Sequence, residues 1–220
     1  MTSPPPALRD FVSGTAALLN GTVAEGVTLQ VGEQPTRAIV GPRSDYPRFG
    51  AVPLRVRGSH LLDLMLEFRF RLTEQGQRAV AETAEIAVAH ATDRQPLVRF
   101  DYVRQRSWAP AHIQVHGESS VLGYVFAHSG RLRPPRTRIQ ELHLPMGLYA
   151  MPPGLEDVIE FLVHNLGVDA APNWEQHVAR AREQRRVLQL RHLMEDRLRA
   201  SPGQAATELH AMIDELAQRA

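Results

Sequence analysis

The chain contains no cysteine and no lysine; all 25 of its Lys-plus-Arg residues are arginine. Without cysteine there is no disulfide framework, no thiolate metal site and no thiol nucleophile. Without lysine there is no Schiff-base amine, no phosphate-loop lysine and no lysine general base. Apolar runs fall short of the roughly 18 residues that cross a bilayer, so no membrane partner is expected. The opening MTSPPPALRD has neither the basic start nor the apolar stretch of a signal peptide. Ser119-Ser120 lacks the Gly-x-Ser-x-Gly elbow, and Gly14 and Gly21 match neither glycine-rich phosphate template. These absences lead to the expectation of a cytoplasmic protein of bacterial type that carries no cofactor.

Hydrophobic residues make up 43% of the 220, enough for a sizeable core. The formal net charge of +1 exerts no overall pull on nucleic acid. Its distribution is uneven: residues 1–150 carry 17 Arg against 13 Asp plus Glu, and residues 151–220 carry 8 against 11. The composition suggests a mainly β region over residues 1–150 and a helical segment over 151–220, packed together as one domain.

After a proline-rich tail expected to be poorly ordered (residues 1–6), Ala7–Leu19 suits a short helix. Val27–Val31, Thr36–Val40 and Val52–Val56 read as short strands joined by turns, with Pro53 best placed on an edge. His60–Thr73 alternates strictly: Leu62, Leu64, Leu66, Phe68, Phe70 and Leu72 against Asp63, Met65, Glu67, Arg69 and Arg71. Period 2 over that length is a half-buried strand with one wet face. Ala81–Ala91, Pro96–Gln105 and Ala111–Glu118 follow at spacings too short for helical crossovers, so neighbours pair antiparallel. Gly123–Ala127 suits a strand or a helical turn equally. Leu155–Leu166 places Leu155, Val158, Ile159, Leu162, Val163 and Leu166 on one helical face and ends at Gly167. Trp174–Arg199 reads as a long charged helix, and Gln204–Gln218 as a last short one. The expected fold is α+β: an antiparallel sheet of five to seven strands, then C-terminal helices, one of them packed across the sheet.

The most polar strand is AHIQVHGE. As a strand, His112, Gln114, His116 and Glu118 share one face. A hairpin setting Asp101 opposite His116 and Arg99 opposite Glu118 keeps the alternation of Phe100 and Tyr102 intact. Asp101 would then orient the His116 ring as general acid or base, and Arg99 would hold a phosphate. A solvated polar surface is the plainer alternative. His112 and His116 stand about 13 Å apart on a flat strand, too far for one metal, so no metal site is assigned. A second cluster of arginines, Arg104 and Arg106 with Arg131, Arg133 and Arg136 in RLRPPRTR, could contact phosphates, with Trp108, Tyr102 or Tyr124 stacking bases.

RFDY (99–102), WAPAHIQVHGES (108–119), ELHLPMG (141–147) and PGLEDVIEFLV (153–163) together resemble an uncharacterised bacterial family of hypothetical proteins. Residues 99–118 alone are similar to TumE-type toxins, shorter proteins with a curved sheet. The expectation that follows is an accessory protein of a bacterial defence or toxin–antitoxin-like locus, binding or acting on RNA or nucleotides. The alternative is a non-catalytic interaction module that uses the polar sheet face and the C-terminal helices to bind a protein partner or a second copy of itself.

Overall fold

The computed structural model describes residues 4–34, 36–43, 50–72, 79–92, 94, 96–106, 109–117, 144–145, 154–200, 203 and 207. They contain three helices and one antiparallel sheet: α1 (Pro6–Asn20), β1 (Leu29–Gln34), β2 (Arg37–Pro42), β3 (Val52–Val56), β4 (Ser59–Leu72), β5 (Ala79–His90), β6 (Pro96–Val103), β7 (Ala111–Val115), β8 (Leu144–Pro145), α2 (Leu155–Leu166) and α3 (Trp174–Ala200). Residues 1–178 form one compact unit and 179–220 another, with the division falling inside α3.

The sheet runs β1-β2-β4-β5-β6-β7-β8, with β3 also paired to β4. β2 pairs with the end of β4 (Val40 opposite Phe68), and β3 pairs with its beginning (Val52 opposite Leu64). The two share one edge of β4, so the sheet is seven strands wide. This is the α+β fold expected from the alternation. Pro53 lies on β3, which among the described residues pairs with β4 alone and is therefore an edge strand, as expected.

The even positions of β4, Leu62 to Phe70, are buried together with Ala84, Ile86, Val88, Val98, Phe100 and Tyr102 of β5 and β6. Two helices cover this face. Phe11 of α1 meets Phe68 and Phe70 edge-on at 5.0 and 5.1 Å, and Phe161 of α2 meets Phe100 at 5.8 Å. Such pairs add about 0.5–1.5 kcal/mol to the area they bury. Val158, Ile159 and Leu162 of α2 are fully buried, and Gly167 closes the helix at φ 65. The proline-rich start needs correction: Pro6 is the first residue of α1 and Pro5 its N-cap, because proline's fixed φ suits a first helical turn. Gly123–Ala127, RLRPPRTR and the helix expected over 204–218 lie outside the described residues, Thr207 excepted.

Arg57 (φ 50) and Gly58 (φ 79) form the two-residue turn between β3 and β4. Asp169, just past α2, holds that turn. Its Oδ1 accepts from Arg57 N at 2.9 Å, its Oδ2 accepts from Gly58 N at 2.7 Å, and its own N–H donates to Arg55 O at 2.8 Å. Asp169→Ala should cost about 1–2 kcal/mol, since both turn amides return to water. For a unit of this size that is a fall in Tm of about 3–6 °C. Asp169→Asn, which keeps one acceptor, should recover about half. An unchanged melting curve for the alanine variant would show that the carboxylate does not tie the two segments together.

Candidate functional site

The odd positions of β4 to β6 and the even positions of β7 share one polar face, and register brings one residue from each strand into a row. Glu67 of β4 stands opposite Glu85 of β5, Glu85 opposite Asp101 of β6, and Asp101 opposite His112 of β7. Three carboxylates side by side repel unless a cation lies among them. Arg99, two residues along β6, supplies it: its Nη2 donates to Glu85 Oε2 at 2.9 Å and to Asp101 Oδ1 at 3.1 Å. Arg69 likewise donates to Glu67 at 2.7 Å.

Asp101 is only 8% exposed and His112 only 2%. The His112 Nδ1 lies 2.9 Å from Ala109 O, and its Nε2 lies 3.3 Å from Arg106 Nη1. A carbonyl only accepts and a guanidinium only donates, so both contacts are made together by one neutral tautomer, with the proton on Nδ1. The same Nε2 is 3.7 Å from Asp101 Oδ2. His112 therefore ties the β6–β7 turn to the carboxylate row.

The expected hairpin register needs correction. Asp101 pairs with His112 rather than His116, and Arg99 with Gln114 rather than Glu118. The strands close at Val103, whose N–H reaches Pro110 O at 2.8 Å, and Ala109 takes the left-handed φ of 48 that the tight return requires. The hairpin turns earlier than assumed, and each β6 residue meets a partner four positions lower. Parity is kept, so the same side chains share the polar face.

His116 follows the end of β7, with its N–H on Leu97 O at 2.9 Å. Its Nε2 is buried without a hydrogen-bond partner among the described residues, and so is Arg99 Nε. Burial pushes the His116 pKa below the usual histidine range, the Arg99 charge lowers it further, and Asp101 pulls partly the other way. Burial raises the Glu85 pKa; Arg99 lowers it, and Asp101 and Glu67 add to the rise.

Of the site residues expected from sequence, Arg99, Asp101, His112 and His116 come together; Glu118, Arg131, Arg133 and Arg136 lie outside the described residues. Arg104 is exposed and bonds the Tyr102 hydroxyl. Tyr102 is 1% exposed, so it stacks no base from solution. Arg99, expected to hold a phosphate, has its Nη2 on two carboxylates. Glu85 was not singled out from sequence; its place in the site follows from the β5–β6 register alone. Among the described residues no group of three or more His, Asp or Glu side chains could hold a metal ion, and no helix is long and apolar enough to cross a membrane. Comparison with protein-family models, curated proteins and solved structures gave no match.

Proposed function

We propose that the polar sheet face around Arg99, Asp101 and His116 binds RNA or nucleotides and acts on them, within a bacterial defence or toxin–antitoxin-like system. The observation that carries this reading is a pair of buried nitrogens without a hydrogen-bond partner among the described residues, Arg99 Nε and His116 Nε2. Native proteins leave few such groups, and those they leave call for a water, a ligand or a chemical role. His116 is the acid–base group of this reading, kept neutral at physiological pH by its burial. Asp101 acts on it through its field rather than by direct pairing. The similarity of residues 99–118 to TumE-type toxins points the same way.

The test is incubation of the untagged protein with total RNA and with separate nucleotides, with and without a divalent cation, beside His116→Ala. The expected result is turnover that falls at least a hundredfold in the variant, the usual worth of one general acid or base. Turnover equal in both proteins would remove His116 from the chemistry, and no turnover or binding of any RNA or nucleotide would overturn the reading.

A second reading takes support from α3, where Val187, Leu188 and Leu190 are 56%, 55% and 54% exposed. An interaction module would use these side chains against a protein partner or a second copy. Light scattering would then show a dimer that Leu188→Glu dissolves, with the nucleotide assays blank.

A further inference from the structure

Two nitrogens without partners among the described residues, one on β6 and one just past β7, define what a ligand must offer between them. Arg99 stands opposite Gln114, so His116 is its diagonal neighbour on the same face, within about 7–8 Å by strand geometry and in reach of a long side chain. The fields of both Arg99 and Asp101 reach the His116 ring. Arg99 Nε carries one N–H and can only donate, whereas a neutral imidazole nitrogen accepts or donates according to its tautomer.

Charge narrows the choice. The Arg99 guanidinium is already shared by two carboxylates, Glu85 and Asp101, so its positive charge is matched before any ligand arrives. A phosphate placed there would meet both carboxylates at close range. A neutral group avoids that repulsion. A hydroxyl does so with a single atom, accepting from Arg99 Nε–H and donating to His116 Nε2.

We propose that the group held between Arg99 Nε and His116 Nε2 is a ligand hydroxyl, the ribose 2′-hydroxyl of RNA or of a ribonucleotide. The inference rests on the reading that this face takes RNA or nucleotides, and adds that the site reads the sugar. The 2′-hydroxyl, both donor and acceptor, is the group by which a protein tells RNA from DNA. The phosphates on either side fall to the exposed arginines that border the site: Arg69, whose charge acts on Glu85, and Arg106, at the His112 ring. Those contacts are indifferent to the sugar and weaken with salt.

The test measures fluorescence anisotropy of the full chain with a short single-stranded RNA, the DNA of the same sequence and the 2′-O-methyl RNA, at one fixed salt concentration. Oligonucleotide integrity is checked after each titration. The expected result is RNA bound about tenfold more tightly than either analogue, since each analogue loses a hydrogen bond to a buried group. His116→Ala should bring the three affinities together. Arg99→Lys, which keeps the charge beside the carboxylates and loses Nε, should do the same. Cleavage of the RNA with the DNA left whole counts on the same side. Equal wild-type affinities for RNA and DNA would overturn the hydroxyl assignment alone, as would a preference that follows the bases or survives both substitutions. No binding of any oligonucleotide or ribonucleotide would overturn the underlying reading together with it.

Discussion

Arg99→Met should lower stability by about 3 kcal/mol at pH 7, a fall in Tm of about 6–12 °C. Methionine approximates the aliphatic part of the side chain and removes only the charge and its hydrogen bonds. Asp101, 8% exposed in the native protein, is then left without that cation, beside Glu85 and two strands away from Glu67. Taking one partner from a fully buried pair typically costs about 3–5 kcal/mol. The lower end applies here because Glu85 is more than half exposed and water screens part of the repulsion. The pH dependence follows from the sign of the Glu85 shift. The Glu85 pKa is already raised by burial in the native protein, and loss of Arg99 raises it further. A carboxylate whose folded pKa is raised favours the fold at low pH and loses that contribution as pH rises through the folded value. The penalty of Arg99→Met should therefore shrink from pH 7 to pH 5. Arg99→Lys should recover part of the loss at pH 7, since it returns a charge but not the planar fork. Denaturant titrations at the two pH values check both points. A pH-independent penalty would mean that the variant damages packing and not charge.

The carboxylate row shows which parts of the fold local sequence encodes. Strand β4 was legible from end to end because six apolar residues alternate without a break, and α2 because its apolar residues recur at helical spacing up to Gly167. Both signals come from neighbours in sequence. The β6–β7 register is a different kind of quantity. Sliding one strand by an even number of residues returns every side chain to the same face, so hydrophobic alternation cannot separate Asp101–His112 from Asp101–His116. The turn decides between them, and RQRSWAP contains no Asn-Gly or Asp-Gly pair to mark its centre; the left-handed residue is Ala109. Glu85 was hidden for a related reason. On β5 its face neighbours are Thr83 and Ala87, neither of which announces a site. Only pairing with a strand 16 residues further on, at Asp101, gives it chemical company.

The corrected register also separates the two histidines of AHIQVHGE, which the alternation placed on one polar face. His112→Ala should cost about 3 kcal/mol. It empties a volume that is 2% exposed, strands the Ala109 carbonyl at a residue with positive φ, and removes the acceptor facing Arg106. His116→Ala removes a ring whose Nε2 bonds nothing among the described residues, so at pH 7 stability should change by less than about 1 kcal/mol. Acid conditions then distinguish the native protein from this variant. Because burial depresses the His116 pKa in the folded state, the unfolded chain takes up the proton first as pH falls below about 6.5. The native protein should lose that contribution as pH falls below that value, and His116→Ala should show a shallower acid slope. These outcomes would assign His112 to the scaffold and leave His116 to the proposed ligand. If His116→Ala unfolded the protein while His112→Ala left it intact, the assignments would exchange: the orphaned nitrogen would be a structural defect held in place by its surroundings, and the chemistry would have to be sought at the buried ring between Arg106 and Asp101.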